Sequence, residues 1–135
     1  MRVFLDTGAL LALSHARDQY HQRATAIARR HHAAGGQYVS STLVLGEFHS
    51  HLLYLRGPAA ALAALTSLIE DPAHEWTAVP ADLLRDARTK WLARFADQRF
   101  SLTDAVSFEI MSRDGLSHAF AFDQHFETAG FALLQ

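Results

Sequence analysis

A chain of 135 residues is of ordinary single-domain size, with half of its residues hydrophobic and only 19% charged. That composition excludes an intrinsically disordered chain and allows a sizeable core. The net charge of −2 announces no nucleic-acid binding by itself, and the absence of cysteine rules out disulfides and thiolate metal sites.

Eleven of the twelve basic residues are Arg, which suits bidentate pairing with carboxylate or phosphate wherever they cluster. Asp6 interrupts the first apolar run and no cleavage pattern follows, so the N-terminus does not read as a signal peptide. No run approaches the ~20 apolar residues that a membrane span needs. The expectation is a soluble, cytoplasmic protein, one domain over residues 1–135, with no membrane partner.

Arg2-Val3-Phe4-Leu5 runs into Asp6, and a short unbroken apolar run of this kind reads as a strand buried on both faces of a parallel sheet. Thr7-Gly8 reads as a turn before a short helix over 9–14. Asp18 is placed to cap a longer helix reaching about Ala34, where Gly35-Gly36 stops it. His31 and His32 fall in the last turn of that helix, a solvated end where partial positive charge suits the dipole. Residues 37–40 form a second strand. Ser40, Ser41 or Thr42 caps a helix to about Arg56, ended by Gly57-Pro58.

Glu47 lies in that helix on the face of Leu43, Val44, His51 and Tyr54. It is either a solvated edge residue or a carboxylate awaiting a partner. His49 and His51 flank it, but residues two apart do not face one another on a helix. An Ala/Leu-rich helix follows over 59–70, then a strand over 75–79. Pro80 opens a helix carrying Arg85, Arg88, Lys90 and Arg94, with Arg99 beyond. This densest basic patch is a candidate for phosphate contacts, although Asp82 and Asp86 dilute it. Ser101-Leu102-Thr103-Asp104 spells a capping box that starts a helix with Val106, Ile110 and Met111 on its apolar side and Gly115 at its end. Residues 119–122 form a strand that runs into Asp123, which can cap a turn over 124–128, and 131–134 make a last strand. Strands alternating with helices imply a three-layer α/β/α domain around a mainly parallel sheet of four or five strands.

Each acid taken singly has a bland reading: Asp6 and Asp123 as turn residues, Asp104 as a cap, Glu47 as surface. Together they are harder to dismiss. All strands of a parallel sheet end on one edge, which gathers Asp6 and Asp123 and brings the start of the Glu47 helix near. Carboxylates so packed repel one another and do not all stay ionised without cations. Oxygen donors with no Cys, and no His at ligand spacing, favour Mg²⁺ or Mn²⁺ over Zn²⁺. With no Gly-rich phosphate loop, the set suits metal-assisted hydrolysis of a phosphodiester.

The order Asp6-Thr7, Leu45-Gly46-Glu47-Phe48, Ser101-Leu102-Thr103-Asp104-Ala105 and Phe122-Asp123-Gln124-His125-Phe126 resembles the PIN domain, in particular the VapC toxins of toxin–antitoxin pairs. The resemblance covers almost the whole chain. It implies an Mg²⁺- or Mn²⁺-dependent endoribonuclease that forms a homodimer and is held inactive by a small VapB-type antitoxin. Asp6, Glu47, Asp104 and Asp123 would be the acidic, metal-holding quartet, with Thr7 and Ser101 as supporting hydroxyls.

Asp6-Thr7-Gly8 also spells an aspartic-protease signature, but that fold is all-β and this chain is mostly helical. A phosphoaspartyl phosphatase needs a second Asp where Gly8 stands, and a receiver domain needs a Lys near the end, whereas the only Lys is Lys90. The remaining alternative is a PIN-like module that binds RNA or protein without cutting.

Overall fold

In the computed structural model, which describes residues 1–135, strand β1 (Arg2–Leu5) is the middle of a five-stranded, all-parallel sheet. On one side lie β2 (Gln37–Ser41) and β3 (His74–Thr77), and on the other β4 (His118–Phe120) and β5 (Ala132–Leu133), in the order β3-β2-β1-β4-β5. Val3, Phe4 and Leu5 are fully buried, as expected of a strand covered on both faces.

Alternation along the strands assigns the covering helices. Phe4, in register with Val39 and Ala119, turns to Phe126, whose ring meets Phe108 edge-on at 5.0 Å. Phe108 belongs to α5 (Leu102–Asp114), which packs with α4 (Ala81–Ala87) and near α6 (His125–Thr128). Tyr38 points the other way, to His31 of α2 (His21–Ala33) at 4.8 Å. On that side α1 (Thr7–Ser14) packs against both α2 and α3 (Thr42–Glu70). The three-layer α/β/α expectation therefore holds, with five strands.

Several boundaries differ from the sequence reading, each for a local reason. No turn separates β1 from α1, because Asp6 itself occupies the N-cap position and its carbonyl accepts from Leu10 N–H at 3.1 Å. Asp18 does not cap α2; its Oδ1 accepts from Tyr20 N–H at 2.8 Å in an Asx turn that leads to a helix starting at His21. The helices expected on either side of Gly57-Pro58 run on directly, with a break at Gly57 (φ 84, ψ 176) and no connecting loop. The best 18-residue window of α3 has a mean hydropathy of 1.5, but neither half beside that break reaches the ~20 residues of a span. The helix opened by Pro80 is α-helical only to Ala87 and continues as a π-helical segment over Arg88–Ala93. β4 ends at Phe120, so Asp123 lies three residues beyond the sheet.

Candidate active site

From β1 the chain travels outward to β2 and β3, then returns to lay β4 against the other side of β1. The gap between β1 and β4 is thus the point where strand order reverses, and crevices at the carboxyl ends of strands at such a point bind ligands. Asp6 closes β1 there, and its N–H donates to Phe120 O at 3.1 Å, fixing the two strand ends together. One cleft at this edge is lined by Asp6, Thr7, Glu47, Asp104 and Asp123, along with Arg99, Ser101, His51 and His125. All four predicted acids and both predicted hydroxyl residues are brought together.

Asp6 lies deepest, only 9% exposed. Burial, reinforced by the charge of Asp104 and then of Glu47 and Asp123, pushes its carboxyl up to about 7; the Thr7 backbone N–H works the other way but loses. Desolvation and like charge both disfavour the anion, and no cation stands close enough to Asp6 to offset them.

Asp104 satisfies both of its readings at once. Its N–H donates to Ser101 Oγ and its Oδ2 accepts from Ser101 N–H, each at 3.0 Å, which is the capping box. The same side chain, only 13% exposed, faces Asp6 and His125. Capping does not compete with a role in the cleft; it holds this carboxylate at the mouth of α5. Asp123 is fixed similarly: Oδ1 accepts from His125 N–H at 2.8 Å, so Oδ2 turns inward. Glu47, on the opposite wall, is half-buried rather than sunk in an apolar face, because Tyr54 and His51 beyond it open to solvent.

The sequence reading gave His125 no role. Its Nδ1 stands 3.0 Å from Asp104 Oδ2 and 3.4 Å from Asp123 Oδ2. The Asp-x-His spacing at 123 and 125 hints at one of these contacts; the other crosses 21 residues and is visible only in the fold. The basic patch disperses instead. Lys90 pairs with Asp86 and Glu109, Arg94 lies over Phe95 at 5.7 Å, and only Arg99 reaches the cleft.

Two observations test whether the residues suit a divalent cation. Thr7 Oγ1 is buried beside Asp6 with no hydrogen-bond partner, the sort of orphan that a bound ion or its waters would satisfy. The carboxylates supply hard oxygen donors around an Asp6 that is costly to ionise without added positive charge. The site fits the cation.

A model of the PIN domain matches residues 3–132. The chain belongs to the PIN domain family. It is 36% identical over 133 residues to the 23S rRNA-specific endonuclease VapC20 of Mycobacterium tuberculosis (strain H37Rv), covering 96% of this chain and 95% of that one. The crystal structure of Mycobacterium tuberculosis VapC20, a Sarcin-Ricin loop cleaving toxin, matches this PIN chain with a TM-score of 0.84 at 34% identity, over 96% of each. FitAcB of Neisseria gonorrhoeae (TM-score 0.69, 15% identity, 100% of this chain and 97% of that one) shares the PIN fold. So does VapBC2 of Rickettsia felis bound to a promoter DNA fragment (0.67, 13%, 98% and 97%).

Proposed function

We propose that this PIN protein is a metal-dependent endoribonuclease that hydrolyses RNA phosphodiester bonds in the cytoplasm, as the toxin of a toxin–antitoxin pair. The observation that carries the reading is the buried Asp6, ringed by Asp104, Glu47 and Asp123 and pushed up to about 7. A protein gains nothing structurally from such repulsion, whereas a cation site requires it. Kinship over nearly the whole chain to an enzyme named as a 23S rRNA endonuclease supports the same conclusion and makes ribosomal RNA the first substrate to try.

Asp6, Asp104, Asp123 and Glu47 would hold Mg²⁺ or Mn²⁺. Bound there, the ion supplies an activated water and charge to stabilise the leaving oxygen. The chain's own groups do the rest. Asp104, through Oδ2 to Ser101 N–H, and Asp123, through Oδ1 to His125 N–H, are held by backbone hydrogen bonds, so these carboxylates need little reorganisation. Arg99, at the rim, offers a planar cation to an RNA phosphate. Glu47, half open to solvent on the facing wall, can take a proton from water at its carboxylate.

Two partners belong to the proposal. Leu53, Tyr54, Leu55, Leu62 and Ile69 are large apolar residues left exposed on α3, which supports a homodimer. A VapB-like antitoxin would insert a basic side chain, an Arg, among the carboxylates, where a bidentate pair offsets their charge. A complex in which the acids remain open to solvent would refute that insertion.

The direct test is cleavage of total cellular RNA by the purified protein with Mg²⁺, with Mn²⁺ and with EDTA, alongside Asp6→Asn. Discrete fragments that require metal are expected, with cleavage by the variant reduced about a hundred- to a thousandfold, the scale of losing a group that stabilises transition-state charge. Wild-type rates from a well-folded Asp6→Asn protein would remove Asp6 from the site.

A further inference from the structure

We propose that His125 is a metal ligand through Nδ1, making this centre a mixed nitrogen–oxygen site that prefers Mn²⁺ over Mg²⁺. The inference rests on the metal-centre reading above and adds a donor that the acidic quartet lacks.

The geometry is specific. One donor atom from each of Asp104, Asp123 and His125 lies within 4.8 Å of the others, the spread that a single small cation can bridge. Nδ1 is the imidazole nitrogen turned to the acids, at 3.0 Å from Asp104 Oδ2 and 3.4 Å from Asp123 Oδ2. Its ring is held in that pose from two sides. The His125 backbone N–H is bonded to Asp123 Oδ1, and the Phe100 ring meets the imidazole edge-on at 5.3 Å. A ring so oriented needs no rotamer change to exchange its contacts with two carboxylate oxygens for one contact with a cation between them. The side chain is 30% exposed, so an ion can reach it from the cleft.

A second observation at the same cleft points to a ligand: Thr7 Oγ1, in a residue only 5% exposed, has no partner among the protein atoms. The donor set then decides which cation. Carboxylate oxygens alone serve Mg²⁺ and Mn²⁺ alike, whereas an imidazole nitrogen adds affinity for transition-metal ions and little for Mg²⁺, which holds its waters and prefers oxygen.

The experiment is pulsed electron paramagnetic resonance on the full chain with Mn²⁺ as the probe, together with Mn²⁺ and Mg²⁺ titrations. Wild-type protein is expected to show hyperfine coupling from one directly bound nitrogen, which changes pattern when histidine is supplied labelled with ¹⁵N. The coupling should vanish in His125→Asn and persist in His51→Gln, the other cleft histidine. Mn²⁺ affinity should fall about tenfold or more in His125→Asn, while Mg²⁺ affinity changes less. Saturable Mn²⁺ binding without nitrogen coupling overturns the ligand assignment and leaves the acidic centre standing. Coupling that survives in His125→Asn and disappears in His51→Gln also overturns it. Absence of saturable Mn²⁺ binding overturns the metal-centre reading and the His125 assignment together. Should His125→Asn fail to fold, the His51→Gln protein with ¹⁵N-labelled histidine carries the test: its coupling must persist, because His125 is then the remaining histidine of the cleft.

Discussion

Two carboxylates are buried in this protein, and their surroundings are opposites. Glu109, in the middle of α5 and only 2% exposed, accepts from Trp91 Nε1 at 3.1 Å and from Arg113 Nε at 2.9 Å, with Lys90 Nζ at 3.5 Å. Arg113 goes on to Asp86 and Asp82, so the carboxylate heads a network tying α4 and the π-helical segment to α5. Asp6 is nearly as buried, makes no ion pair, and the charges that act on its carboxyl are those of acids. The lesson is that this fold can neutralise a buried acid and does so where the acid is structural. At the strand switch it leaves the carboxyl unpaired, as the proposed cation site requires.

That contrast can be broken from either side. The largest effect on stability is expected at Asp6. Between about pH 4 and pH 7 the metal-free folded protein keeps a proton on Asp6 that the unfolded chain has lost, so its stability falls as the pH rises through that window. Full ionisation of this desolvated carboxyl, with Asp104, Glu47 and Asp123 adding their charge, costs up to about 4 kcal/mol. Metal-free Asp6→Asn should therefore melt at a higher temperature than wild type at pH 8, with the two curves converging near pH 4. A wild-type melting temperature that rises with pH across this range would contradict the burial argument.

Adding Mn²⁺ should reverse the order of the two proteins. A ligand at a hundredfold its Kd stabilises the state that binds it by about 2.7 kcal/mol. Wild type should gain this in a thermal melt, and Asp6→Asn should gain much less. On the other side of the comparison, Glu109→Gln keeps the shape but removes the charge that Arg113 and Lys90 answer. A loss of roughly 1–3 kcal/mol in urea unfolding is expected, with metal affinity unchanged, because Glu109 does not line the cleft. The smallest effect is predicted for Thr7→Val, which removes a hydroxyl that has no protein partner. Metal-free stability should stay within about 1 kcal/mol of wild type, while Mn²⁺ affinity declines. A large loss of metal-free stability would mean that the hydroxyl has a structural partner after all.

Much of the site was legible because its residues sit where local rules put them. Asp6 follows an unbroken apolar strand, Asp104 is the third residue of a capping box, and Asp123 follows the run that ends β4. The PIN resemblance joined these into one centre, and the topology places them together. What stayed hidden depended on contacts distant in sequence or on helix irregularity. His125 meets Asp104 only because α6 folds back over the start of α5. Glu109 lies in a run, Ala105–Met111, that is buried on every side, so helical periodicity around Val106, Ile110 and Met111 gave no sign of a buried acid beside them. Its partners Trp91 and Lys90 come from a π-helical segment that the 3.6-residue pattern cannot foresee. The break at Gly57 was marked by Gly-Pro, but the pattern could not say that the helix resumes without a loop.

The central position of β1 has a consequence for how the protein comes into being. β1 is made before either of its neighbours, and the one that completes the switch point, β4, spans His118–Phe120. Asp6 must wait for its third acidic neighbour until residue 123 has been synthesised and has cleared the exit tunnel. Long-range parallel pairing of this kind is slow to form, and it cannot precede the arrival of its later strand. The nascent chain therefore carries at most a partial acidic centre until Asp123 has followed β4 into place.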